Sequence, residues 1–139
     1  MRRAIIFILL FTLLSNVQSQ TKIPIYRKVS ICGQEGMSDE GNFRMIGEQR
    51  YLSIIKDFEK EFRKINNGYS NYYRLYSIHG GMKPTDLFIY LIPKSIVSEE
   101  NRKKIEYRVF GDKRTLWLYY DLKTNKVSKP SAYILNPDI

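Results

Sequence analysis

The chain has 139 residues, with 23 Lys and Arg against 14 Asp and Glu, one His and one Cys. At about 100–200 residues per domain this length admits one domain, and 43% hydrophobic with 27% charged residues excludes wholesale disorder and a multispanning membrane protein. The formal net charge is +9, and a lone Cys excludes an intramolecular disulfide framework and a zinc site built from several thiolates.

Arg2 and Arg3 stand ahead of an apolar run from Ala4 to Leu14, followed by the short polar stretch Ser15 to Gln20. This is the three-part pattern of a secretory signal peptide, with Val17 and Ser19 preceding a cut before Gln20. The run is too short for the ~20 residues that span a bilayer. The sequence therefore predicts a cleaved leader over 1–19 and one exported domain over 20–139, secreted or periplasmic. Loss of Arg2 and Arg3 leaves 21 basic residues against 14 acidic, a net of +7. In such a compartment an unpaired Cys32, judged from its apolar neighbours Val29 and Ile31, is expected as a small buried hydrophobe, with an intermolecular partner as the alternative.

Ile23 to Ile31 alternates as a first strand, with Pro24 near its start. A glycine-rich stretch follows (Gly33, Gly36, Gly41, Gly47), and its turn chemistry predicts a loop. From Gly47 to Asn66 the period becomes helical: Tyr51, Ile54, Ile55, Phe58, Phe62 and Ile65 form one apolar stripe. The opposite face carries Lys56, Asp57, Glu59, Lys60, Glu61, Arg63 and Lys64, a mixed solvated surface. Asn67-Gly68 is suited to close the helix.

Tyr72 to Ile78, Leu87 to Ile92, Ile105 to Val109 and Leu116 to Leu122 then read as strands, with a short helix from Ser98 to Lys104 between the third and fourth. Lys123 to Lys126 is a tight connection into a last strand, Val127 to Leu135, which Pro130 makes an edge or a broken strand. The fold expected is α+β: one long helix packed on a curved antiparallel sheet of about five to six strands, in two layers.

Two constellations carry the functional expectations. Tyr72, Arg74, Tyr76, Tyr107, Arg108, Trp117 and Tyr119 interleave aromatic rings with cations, a combination suited to stacking and to anion recognition on a sheet face. They point to a small non-enzymatic binding domain, inhibitor-like or immunity-like, that recognises an acidic protein or other anionic partner; nucleic acid is a weaker expectation. The alternative is a secreted basic hydrolase of ribonuclease type. His79, Glu106, Arg108 and Arg114 supply its residue types, and Asp86 sits across the β connection where it could orient His79. No phosphate-binding glycine loop, nucleophile elbow or metal-spaced His/Cys motif occurs, so no metal and no cofactor is expected.

Overall fold

A computed structural model describes residues 25–65, 69–97 and 113–133. The leader, the Ser98–Lys104 helix, the Ile105–Val109 strand and the Asn67-Gly68 helix end lie outside the described residues, and Glu106, Tyr107 and Arg108 with them. The chain runs β1 (Tyr26–Ile31), β2 (Gln34–Asp39), α1 (Glu40–Ile46), α2 (Glu48–Phe62), β3 (Tyr72–His79), β4 (Asp86–Pro93), a 3-10 turn (Lys94–Ile96), β5 (Leu116–Asp121), β6 (Lys126–Val127) and β7 (Ser131–Ala132). The sheet is open, ordered β1-β2-β3-β4-β5-β6, with β7 also paired to β5.

The glycine-rich stretch is the main departure from the sequence reading. It folds as a strand and a helix. Cys32 (φ 53°) and Gly33 (φ 76°) form a two-residue hairpin turn, the positive-φ pair that matches the twist of the flanking strands. Ile31 therefore pairs with Gln34, and β1 runs antiparallel to β2 along its length. Cys32 is half-buried at this turn rather than enclosed in the core. Asp39 then caps α1, its carboxylate accepting from the Gly41 amide at 2.7 Å, which satisfies one orphan donor of the first turn. Gly47, at φ 87°, lets the chain pivot directly from α1 into α2.

Two helices thus stand where one was expected, and they separate β2 from β3. The chain returns in the same direction, so β2 and β3 pair in parallel, Gly36 opposite Arg74. The sheet is mixed rather than antiparallel throughout, because a crossover of this length brings a strand back parallel. The remaining pairs are antiparallel: His79 with Asp86, Asp86 with Asp121, and so on along both ladders. The last strand is broken, as Pro130 implied. β6 and β7 are two-residue pieces on the same edge of β5, and the Ser128 hydroxyl between them accepts from the Tyr119 amide at 3.0 Å.

The α2 stripe was legible. Tyr51, Ile55, Phe58 and Phe62 are wholly buried against Tyr76, Ile78, Leu87, Ile89, Leu91, Leu118 and Tyr120 of the sheet. Full burial of each such side chain is worth roughly 1.5–3 kcal/mol. Ile65 lies past the helix end and is exposed. Glu59, expected on the solvated face, is 2% exposed; it sits one position from Phe58 and three from Phe62, inside the buried stripe.

Candidate functional site

Cross-strand partners share a face of a sheet, so the register fixes which residues of β3 to β5 point away from the helices. One row across that face is Met37, Leu75, Tyr90 and Trp117; the next is Ser77, Phe88 and Tyr119; the last is His79, Asp86, Asp121 and Lys126. The rings touch one another across the strands. His79 lies 4.1 Å from Phe88 between centroids, Phe88 lies 6.0 Å from Tyr119, and Phe88 and Trp117 are parallel to within 2° at 5.9 Å. Tyr90 meets Tyr133 edge-on at 4.9 Å. His79 and Tyr119 are exposed, while Phe88, Tyr90 and Trp117 are half-buried. Towards β1 this face closes into a small apolar cluster of Met37, Tyr73, Leu75, Ile92 and Val97.

Cations frame the rings. Lys113 and Arg114 stand at the start of β5, Lys83 and Lys123 flank the opposite end, and Lys126 and Lys129 follow the broken edge; all six are exposed. Among the described residues from β3 to β7 the carboxylates are Asp86 and Asp121. Both are engaged in their own turns. Asp86 Oδ2 accepts from the Thr85 hydroxyl at 2.7 Å, and Asp121 Oδ1 accepts from the Lys123 and Thr124 amides at 2.8 Å. The Thr124 amide foremost, with that of Lys123, holds the Asp121 carboxyl below its ordinary range. By contrast α2 carries Glu48, Asp57, Glu59 and Glu61 against Arg50, Lys56 and Lys60. Among the described residues, cations therefore outnumber carboxylates from β3 to β7 but not on α2.

The residues expected at a binding face divide between the two sides of the sheet. Trp117 and Tyr119 lie on the open face. Tyr72, Arg74 and Tyr76 have the other parity and point under α2; Arg74 and Tyr76 are 0% and 1% exposed. That part of the expectation is corrected, because period-2 alternation puts three residues on one face without saying which face a helix will cover. Sequence reasoning missed Phe88 and Tyr90, read only as members of a continuously apolar central strand. The signal for them was register: each sits opposite an aromatic residue of β5.

The hydrolase constellation is not drawn together among the described residues. His79 pairs with Asp86 in register, as the connection suggested, but its ring packs on Phe88 while Asp86 serves Thr85. Arg114 precedes Asp121 by seven positions, which at ~3.3 Å per residue puts it more than about 20 Å along the sheet from His79.

A cavity of about 540 Å³ opens between α2 and the sheet end, lined by Arg50, Ile54, Asp57, Thr85, Tyr120 and Asn125 among others. Its polar groups serve the fold: the Tyr120 hydroxyl donates to Asn125 Oδ1 at 2.9 Å, and burial foremost, then Asp57 and Glu61, raises its pKa. At its rim the Thr85 hydroxyl donates to the Asp86 carboxylate. Among the described residues no group of three His, Cys, Asp or Glu is placed to hold a metal ion, and no helix is long and apolar enough to cross a membrane.

No known family model, no curated protein and no solved structure matches the chain.

Proposed function

We propose that the chain is an exported, non-enzymatic binding domain that recognises an anionic partner through the helix-free face of β3 to β5. The observation that carries this reading is the pairing of half-exposed rings at Phe88, Trp117 and Tyr119 with exposed cations at both ends and along the edge. Partly exposed aromatic residues beside cations are the composition of binding hot spots, and a local positive excess steers negative partners to that side. Export rests on the leader pattern at the N-terminus.

The test is a low-salt titration with poly-L-glutamate, followed through backbone amide resonances. The expected shifts fall on Phe88, Trp117, Tyr119 and the neighbouring lysines, and vanish at high salt. Shifts confined to α1 and α2, or none at all, overturn the reading.

A further inference from the structure

Resting on that reading, we infer that the anionic partner is single-stranded nucleic acid, its bases stacking on Tyr119, Trp117 and Phe88 and its phosphates meeting the lysines around them. Three observations converge on this class of ligand. First, the rings form a continuous run over three adjacent strands, with centroid steps of 4.1 and 6.0 Å from His79 through Phe88 to Tyr119. Those steps exceed the ~3.4 Å rise of stacked bases in a helix, so a strand seated here meets the rings with its own bases parted. Second, along β5 the charge lies in two groups beyond the ends of the Trp117–Tyr119 ring pair, with Lys113 at one end of the strand and Lys123 and Lys126 at the other. A chain threaded along β5 has its backbone near both groups. Third, among the described residues around this face the exposed cations Lys83, Lys113, Arg114, Lys123, Lys126 and Lys129 outnumber the carboxylates Asp86 and Asp121.

Other anions use only part of this surface. An acidic peptide satisfies the lysines and leaves the rings without a stacking partner. A duplex offers phosphates, but its base faces are hidden inside its own stack. A single strand uses both features at once, the pairing of groove charge with stacking rings by which strands are held without sequence preference.

Trp117 is the single tryptophan of the chain, so its fluorescence reports on this face alone. The experiment titrates the protein with a short oligothymidylate, with a duplex of the same length and with poly-L-glutamate, in the wild type and in Tyr119→Ala. Tyr119 is 41% exposed, so its removal leaves the core intact, checked by circular dichroism. The expected result is saturable quenching by oligothymidylate, weaker with duplex, and an affinity for the single strand about tenfold lower in Tyr119→Ala. Equal binding of polyglutamate and oligothymidylate, with no effect of Tyr119→Ala, overturns the nucleic-acid inference and leaves the anionic-partner reading standing. Preference for duplex over single strand does the same. Binding of none of the three polyanions overturns both.

Discussion

Arg74 Nε donates to Glu59 Oε1 across 3.1 Å, with the two side chains 0% and 2% exposed, so a full ion pair joins the middle of β3 to α2 inside the core. Its remaining hydrogen-bonding capacity is used locally. Arg74 Nη1 donates to the Tyr69 and Tyr72 carbonyls at 2.9 and 2.8 Å, and the Tyr76 hydroxyl donates to Glu59 Oε1 at 2.8 Å. Neighbouring Ser38, Tyr51 and Asn42 form a second buried polar group, with Ser38 Oγ and the Tyr51 hydroxyl 2.7 Å apart. A buried ion pair of this kind is weak evidence for net stability, because desolvating both charges offsets their attraction.

Removing one partner alone leaves an uncompensated buried charge. Glu59→Leu and Arg74→Met are each expected to cost about 3–5 kcal/mol. The double variant loses less than the two singles combined, because neither charge is then stranded. Urea unfolding of the four proteins measures the coupling; strict additivity contradicts the assignment.

This pair also shows where the sequence was legible and where it was not. The α2 stripe and the ladders of β3, β4 and β5 follow from apolar spacing that packing then obeys. Arg74 and Glu59 each look like solvated surface when read one element at a time, because a charge becomes a core residue only when its partner comes from another element. The stretch from Gly33 to Gly47 fails for a different reason. Its glycines serve specific backbone geometry, a hairpin turn, a close strand approach and a helix pivot, and composition alone reads all three as loop.

Gly36 marks that close approach. A Cβ built there lies 2.6 Å from both the Cβ and the carbonyl oxygen of Arg74, on the parallel partner strand. The backbone of β3 cannot yield cheaply, so Gly36→Ala is expected to cost about 3 kcal/mol. Gly33→Ala meets nothing within 4 Å and is expected to lose only about 1 kcal/mol, from its positive φ. Urea midpoints for the two variants check the order; equal losses contradict the proximity argument.

Cys32 occupies a left-handed position at φ 53° that asparagine adopts more readily. Cys32→Asn is expected to raise stability by about 0.5–1 kcal/mol, with the Arg63 bond to the residue 32 carbonyl retained because it uses the backbone. A lower melting temperature for this variant contradicts the turn assignment.

Alkaline pH probes the buried tyrosines. Burial foremost pushes Tyr51 and Tyr90 from 10.0 up to about 12, and raises Tyr76 well above its ordinary value. A folded-state pKa above the unfolded one favours folding with the phenol neutral. That contribution is complete below pH 10 and is lost as pH rises through the folded values near 12. Stability is therefore expected to hold to about pH 10 and then fall, with a shallower fall in Tyr51→Phe. Chemical unfolding at successive pH values measures this; an unchanged slope in Tyr51→Phe contradicts its placement.

The most direct test of the account compares two triple variants of equal charge. Lys113, Lys126 and Lys129 to Ala removes three exposed cations around the ring face; Lys56, Lys60 and Lys64 to Ala removes three from α2 and the turn that follows it. Affinity for oligothymidylate at low salt is expected to fall at least about tenfold in the first variant and little in the second. Equal losses in the two, or a larger loss in the α2 variant, would place the interaction on net charge or on the helices and contradict the assignment of this face.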